Sequence, residues 1–433
     1  MQYARAVVLW GLCTSLVSVS SAWADGVVRD GVGAISTGRG GTNIGHSDTG
    51  AIILDNPAGM VNVEGSGLFE IGVDGLITDL DYSDPENDTH AEFRPMALPE
   101  LAYIRKSPDG NWAFGLGIFA PAGFGATWEL DNALFGPDTH GYKSLGALGK
   151  ILPSVAYRVT DQLSIGAAFG VAITHAELEG PFFLQNPSPS PPLVAGIPTR
   201  FDLQATGAAP TWSAGLQYRL TDRTTFGLTY VDETRFRLDG DLDAQIFGLG
   251  PGPVPSNFDA QADLVWPRSV GLGVRHDLRW SHRVSADVIW FDWSHAFDQV
   301  DLKLTDPTSA AIAGLAGPVI RESLPLDWND SVSVRVGYEW FFTPLQVFRL
   351  GYVYHASPIP DSTLTPYIPA ILEHAVAVGY GKQWTEWRCD LAYQYSFGPE
   401  ADVTRGDLAG GDFNFSEVEA QAHWLSLSFT RRF

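Results

Sequence analysis

Residues 384–397 read WTEWRCDLAYQYSF, a short turn followed by a stretch that alternates without interruption. Trp387, Cys389, Leu391, Tyr393, Tyr395 and Phe397 fall on one face, with Arg388, Asp390, Ala392, Gln394 and Ser396 on the other. A period of two belongs to a β-strand, whose successive side chains point to opposite sides. One face is apolar and aromatic, and the other is polar or small. Such a strand suits a barrel wall with lipid outside and a wet or filled lumen inside. A two-sheet sandwich produces the same alternation, so the connections must decide.

The pattern recurs along the chain. Trp212, Ala214, Leu216, Tyr218 and Leu220 oppose Ser213, Gly215, Gln217 and Arg219, and Val332, Val334, Val336, Tyr338 and Trp340 oppose Ser333, Arg335, Gly337 and Glu339. About 14 strands are expected, near 66–77, 98–107, 111–120, 151–160, 163–178, 209–220, 224–239, 262–278, 282–304, 331–342, 346–357, 371–383, 386–398 and 418–433. Tight connections contain Ser107-Pro108-Asp109-Gly110, Thr160-Asp161-Gln162, Thr221-Asp222-Arg223, Arg279-Trp280-Ser281, Thr343-Pro344-Leu345 and Trp384-Thr385-Glu386. They alternate with long loops, which is the pattern of outer-membrane barrels, and an even count places both ends in the periplasm. The fold expected is all-β, a 14-stranded antiparallel transmembrane β-barrel.

The two ends agree with export. Arg5, the short apolar run Ala6–Val19 and the small-x-small triplet Ala22-Trp23-Ala24 read as a signal peptide over 1–24, with the mature chain beginning at Asp25. Its removal takes Cys13 and leaves Cys389 as the one thiol, so no internal disulfide is expected. Beyond the signal no apolar run is long enough for a membrane-spanning helix. The 24 Phe, 14 Trp and 14 Tyr fit lipid-facing and interfacial positions. A net charge of −23 argues against nucleic-acid binding. The chain closes on Phe433, with Phe429, Leu427 and Leu425 on the lipid side, a terminal aromatic strand of the kind that barrel-insertion machinery recognises.

Residues 25–65 break the alternation. They are rich in Gly, Ser, Thr and Asp, and a barrel of this size encloses more room than its inward side chains fill. A compact segment there is expected to fold inside as a small N-terminal hatch, leaving 66–433 as the transmembrane β-barrel. Gly38-Arg39-Gly40-Gly41-Thr42 lacks the Lys-Ser/Thr of a phosphate loop, and Gly45-His46-Ser47-Asp48 lacks a nucleophile elbow. Asp84-x-Glu86-x-Asp88 lacks the Gly and closing Glu of a calcium loop. Neither a cofactor, a metal nor a catalytic residue is expected.

The run Ala51-Ile52-Ile53-Leu54-Asp55-Asn56-Pro57-Ala58-Gly59-Met60, after the glycines Gly33, Gly38, Gly40 and Gly41, resembles the hatch domain of the FadL family. These are outer-membrane transporters of long-chain fatty acids and, in some branches, aromatic hydrocarbons. The family's Asn-Pro-Ala signature falls on Asn56, Pro57 and Ala58. Further likeness lies at Trp112–Gly123, Leu152–Arg158, Asp292-Trp293-Ser294 and Gly351–Asp361. The resemblance implies capture of cargo at outer loops, transfer to an apolar pocket near the N-terminus, and sideways exit through a kink in the third strand.

The residues supply positions for each step. In the third strand Ala113, Gly115 and Gly117 share the inward face, and Pro121 and Gly123 close the strand. Inward glycines let a plug approach or permit a bend. Apolar, Pro-rich loop tracts, with Phe182, Phe183 and Leu184 beside Pro192-Leu193-Val194, and with Ile246, Phe247 and Leu249, are candidates for capture. The resemblance brings Val27 and Val28 to the inner pocket, and a fatty-acid headgroup would want a buried cation, for which Arg158, Arg275 and Arg335 are on strands. Partners expected are a hydrophobic small molecule or fatty acid, outer-membrane lipid and lipopolysaccharide, and the insertion machinery, with the chain acting as a monomer. The competing readings are an open porin for polar solutes and a membrane lipid hydrolase.

Overall fold

The computed structural model describes residues 27–185, 196–279 and 281–433. The signal segment 1–24, the loop tract Pro192-Leu193-Val194 and the turn residue Trp280 lie outside the described residues. The chain forms a closed 14-stranded antiparallel barrel. Its first spans are β1 (Gly67–Ser83), with a short loop strand β2 (Asp88–His90), then β3 (Met96–Lys106), β4 (Trp112–Asp131), β5 (Thr139–Arg158), β6 (Leu163–Phe183) and β7 (Pro198–Thr221). The next four are each interrupted: β8 (Thr224–Val231) with β9 (Thr234–Ile246), β10 (Val254–Trp266) with β11 (Ser269–Asp277), β12 (His282–Phe291) with β13 (Gln299–Thr305), and β14 (Val319–Pro325) with β15 (Ser331–Thr343). The circuit ends with β16 (Gln346–Tyr354), β17 (His374–Gln383), β18 (Trp387–Phe397), a short β19 (Ala401–Val403) and β20 (Ser416–Arg432). β1 pairs with β20 from Leu68–Arg432 to Ser83–Glu417, which closes the ring. The Phe433 carbonyl accepts from Ser66 N and Gly67 N at 2.6 and 3.1 Å, pinning the chain end beside the start of β1.

Each expected strand overlaps one observed span, but several run further toward the loop end. β5 begins at Thr139 and β7 at Pro198, where the sequence alternation had been too weak to read. The reason is a change of surroundings along each strand. In the turn-end half, outward residues such as Phe226, Leu228, Leu272, Val288, Val334 and Val336 are exposed and apolar, as contact with lipid requires. In the loop-end half of the same spans the outward residues are Arg235, Arg237, Asp239, Asp241 and Asp243, all exposed. Asp241 there sits opposite Asp259, Asp243 opposite Asp202, and Asp263 opposite Asp301. Like charges across a ladder are unfavourable even in water and untenable in hydrocarbon, so this half projects beyond the membrane. The breaks at Asp232-Glu233 and Pro267-Arg268 mark the border. Pro267 offers no ladder donor, and Arg268 pairs with Asp292 at 2.6 Å. Rings gather at both borders, with Trp112–Tyr157 and Trp340–Phe342 near the turns and Trp212–Tyr230 and Tyr393–His423 near the loops.

The N-terminal segment lies inside the ring. It contains α1 (Ala34–Gly38), α2 (Ile52–Asp55) and a 3₁₀ turn at Pro57–Asn62, and nearly all of residues 32–61 are buried. Gly40 and Gly41 both take positive φ (65° and 70°), which turns the chain sharply after α1. The segment touches the inner wall around the circumference: Ala34 N donates to Ser428 Oγ of β20, Asn43 and Ile44 N to Asp287 of β12, Asn56 Nδ2 to Leu216 O of β7, and Ser164 Oγ of β6 to Ala58 O. Toward the turn end a charge network ties it down. Arg39 pairs with Asp48 at 2.9 Å, Arg283 with Glu339 at 3.1 Å, and Arg349 with Glu339 and Asp390 at 3.0 and 2.8 Å. Pairing offsets much of the cost of burying these charges.

Candidate functional site

Asn56 is held in an extended backbone, and its Oδ1 accepts from Ala58 N at 3.2 Å, capping the 3₁₀ turn that Pro57 begins. Its Nδ2 donates to Ile44 O at 2.8 Å and to Leu216 O at 3.1 Å, so one side chain fastens two parts of the inner segment to the wall. The wall makes room: a Cβ at Gly166 would stand 2.5 Å from Ala58 N, and one at Gly215 would overlap Asn56. Ala113, Gly115 and Gly117 occupy the same kind of position. They face inward within the part of β4 that pairs continuously with β3, and Gly115 lies against Met60 and Ile53.

The ladder changes just beyond them. β3 pairs with β4 only from Lys106–Ala113 to Leu101–Ile118, while Met96 and Ala97 pair with β1 alone. Among the described residues, Phe119–Ala126 of β4 forms no ladder with β3. On its other side β4 bulges: Phe119 opposes Lys150 and Ala122 opposes Leu148, which leaves Ala120 and Pro121 facing Gly149 alone. Pro121 and Gly123 therefore do not close the strand, which runs on to Asp131; Pro121 stands in the bulge and Gly123 just past it. The result is a seam in the wall, roofed by Glu92 N donating to Thr127 O at 2.8 Å.

The first described residues lie against this seam from inside. Val28 bridges to Ala122, Arg29 N donates to Pro121 O at 3.0 Å, and Gly123 N donates to Val27 O at 3.1 Å. Arg29 also reaches Ala120 O at 3.1 Å and pairs with Asp74 at 2.5 Å, over the ring of Trp424. Asp30 accepts from Gln394 at 2.9 Å and lies 3.3 Å from His355. The charged residues anchor the strip, while Val28 lines cavities on both sides of it.

Four small cavities connect through shared residues. The outermost, about 120 Å³, is lined by Phe182, Leu184, Ile246, Phe201, Leu242 and Leu304 among others. It shares Leu178, Phe182 and Leu203 with a second of about 130 Å³ that descends to Trp266, Phe297 and Trp328. Trp266 also lines a third, about 110 Å³, with Val28, Leu54, Pro121, Lys150 and Phe291. A fourth, about 110 Å³, lies at the seam with Leu76, Met96 and Gly123. Of the residues singled out for capture, Phe182 and Phe183 end β6 and Ile246 ends β9 and so do not lie in loops, because both strands run on past the membrane; Phe182, Leu184 and Ile246 meet in one cavity. Phe183 and Phe247 instead pack edge-on to Phe135, with ring centroids 5.7 and 5.4 Å away, and Leu249 packs at the margin of the same cluster. They form its roof.

The strand arginines are engaged. Arg158 donates to Val61 O, Arg275 pairs with Asp277 at 3.2 Å, and Arg335 donates to Asp30 O at 2.6 Å while also lining the third cavity. Lys150 is different. It is buried on the inner face of β5 at the bulge, lines the third cavity, and has no hydrogen-bond or ion-pair partner among the described residues. A metal has less claim. His46, Asp48 and Glu339 offer ligand atoms within 4.8 Å of one another, but Arg39, Arg283 and Arg349 already neutralise both carboxylates. Asp79, Asp81 and His90 cluster similarly on the exposed surface, where His90 contacts Asp81.

Comparison with known proteins matches this architecture. Residues 15–433 match the family model described as outer membrane protein transport protein (OMPP1/FadL/TodX). The long-chain fatty acid transport protein of Escherichia coli O6:H1 (strain CFT073) is 21% identical over 98% of this chain and 97% of its own length. Among solved structures, the Pseudomonas putida toluene transporter TodX superposes with a TM-score of 0.76 at 22% identity, covering 94% of this chain and 99% of that one. A Pseudomonas aeruginosa FadL homologue gives 0.73 at 20% identity, covering 94% and 100%. The chain belongs to the OMPP1/FadL/TodX family of outer-membrane β-barrels that transport hydrophobic compounds and are not enzymes.

Proposed function

We propose that this protein takes up hydrophobic carboxylic acids, long-chain fatty acids above all, by passive transfer into the outer membrane. The observation that carries the choice of cargo is Lys150, a buried ammonium without a protein partner at the inner end of an apolar passage. An unpaired buried cation is costly, and a ligand carboxylate reaching it would relieve that cost. The tail would be drawn from water by about 0.8 kcal/mol for each buried CH₂. Capture falls to the outer cavity of Phe182, Leu184 and Ile246, holding to the pocket of Val28 and Lys150, and exit to the seam beside Val27, Pro121 and Gly123. Asn56, Pro57 and Ala58 fix the inner segment as a hatch, and Ala113, Gly115 and Gly117 receive it. Both chain ends face the periplasm, the barrel acts as a monomer, and its final strand is the part offered to the insertion machinery. The acidic loop-end wall faces lipopolysaccharide.

Organic extraction of protein purified from outer membranes, followed by mass spectrometry, tests the cargo. A bound long-chain carboxylic acid is the expected result, and a bound neutral hydrocarbon would overturn it. Large steady channels in a planar bilayer would overturn the closed passage itself. One observation favours aromatic hydrocarbons as the second reading: each cavity is small, on the scale of the ~150 Å³ apolar cavity that admits benzene.

A further inference from the structure

Between β16 and β17 the chain crosses residues 355–373 without helix or strand, and only Asp361 of that run is exposed. Connections ordinarily lie on the surface, because buried backbone needs partners. Here the wall supplies them. Trp128 Nε1 of β4 donates to Pro366 O at 3.0 Å, the Tyr367 hydroxyl to Pro181 O of β6 at 3.0 Å, Thr363 Oγ1 to Leu326 O at 2.6 Å, and Asn329 N to Pro358 O at 2.8 Å. Ser144 Oγ of β5 donates to Tyr367 O. The run is therefore a strap across the lumen above the N-terminal strip.

Its two sides face different cavities. Ile359, Tyr367 and Ile368 line the second cavity, below the capture cluster, whereas Pro369, Ala370 and Leu372 line the cavity at the seam. Phe124 of β4 lines both. Phe124 and the Ile368-Pro369 edge of the strap stand between the two. A second way to the seam avoids the strap. It leads past Trp266 into the Lys150 cavity and then under Val28, Arg29 and Asp30, which are held by the Asp74 and Gln394 contacts. The strap is held by isolated hydrogen bonds, each worth roughly 1 kcal/mol net, and by the packing of Leu364, Tyr367 and Ile371 in the lumen core, but no ladder has to unzip for it to shift.

We propose that residues 357–372 are the partition that cargo crosses, passing between Phe124 and Ile368-Pro369 into a second apolar site at the seam while the N-terminal strip stays in place. The proposal rests on the passage described above and adds to it a site and a route. That site would take the alkyl or aromatic part of the ligand, since Leu76, Leu80, Met96 and Ala370 line it.

The test immobilises the strap. Ser144→Cys with Tyr367→Cys, in a Cys389→Ser background, is joined in the folded barrel by a short bis-methanethiosulfonate linker that reduction removes. A fluorescent long-chain fatty acid is the probe, with binding and uptake measured separately. The linked protein is expected to bind the probe and lose uptake, and reduction to restore uptake. Uptake by the linked protein at the reduced rate would overturn the partition. In a second variant, Trp128→Phe with Thr363→Val, two wall bonds are removed. Faster uptake is expected there, with faster hydrogen exchange confined to 357–372; faster exchange with unchanged uptake would also overturn it. Absence of probe binding in every form would instead overturn the passage reading, and the partition with it.

Discussion

Replacing Lys150 by Met removes the charge and keeps most of the length of the side chain. In the structure the amine is buried at the β4 bulge, with Leu148, Pro121 and Phe291 around the same cavity and no protein acceptor among the described residues. A carboxylate bound there would lose one charge-assisted hydrogen bond, worth about 1.5–3 kcal/mol. That corresponds to a roughly 10- to 150-fold weaker dissociation constant. The methyl ester of the same acid cannot make the ionic contact, so its affinity should stay level or improve as an unpaired ammonium gives way to a thioether. The substitution should also raise the unfolding temperature of the empty barrel. Competition against a fluorescent probe in detergent micelles, acid and ester side by side, measures the difference. Equal losses for acid and ester, or no loss for either, would refute a headgroup role for Lys150 and shift the balance toward neutral cargo.

Three further outcomes are expected. Gly215→Ala forces a methyl group into Asn56 and should lower barrel stability by about 1–3 kcal/mol, read as an earlier heat-induced gel-mobility shift; an unchanged transition would remove the docking argument. Arg29→Ala leaves Asp74 buried without its ionic partner, a change that costs about 3–5 kcal/mol for a fully buried pair, and should speed hydrogen exchange over residues 27–31. Unaltered exchange there would mean that the strip is held by its backbone alone. Asp412, in the loop before β20, is pushed up to about 7 by burial and by the nearby Asp84 and Glu86 carboxylates, against the bond it accepts from Asn132. Its folded pKa lies above its unfolded one, so its share of loop packing is complete below the ordinary carboxylate range and is lost as pH rises through about 7. Protection of residues 404–415, corrected for intrinsic exchange, should therefore fall from acidic to mildly alkaline pH, and Asp412→Asn should flatten the profile.

What could be read beforehand, and what could not, follows the chemistry of each environment. Strands were legible wherever lipid faced them, because one apolar face and one polar face is a strong contrast, as at Trp387–Phe397. They faded where water lay on one side and cavity on the other, as in the Asp239–Asp243 stretch, and where small residues prevailed, as at Thr139–Gly149. Lys150 was missed for that reason: it sits one residue outside the readable part of β5. Phe182, Leu184 and Ile246 drew notice by being apolar where loops were expected, yet their neighbours Phe183 and Phe247 looked the same and pack on Phe135 instead. The inward-folded strap carried no periodic signal. Four prolines (Pro358, Pro360, Pro366 and Pro369) announced a non-regular segment, but direction into the lumen depends on partners such as Trp128 and Ser144, far away in the chain.

The hydrogen bonds from Ser66 and Gly67 to the Phe433 carbonyl bear on biogenesis. They join the last residue of the chain to the place where the inner segment passes into β1. That segment touches wall strands as distant in sequence as β1 and β20, through Thr49 on Glu70 and Ala34 on Ser428. A finished hoop offers it no wide doorway, and its buried ion pairs could not be desolvated one by one on the way in. The contacts favour an order in which the strands gather around the segment before β1 and β20 close.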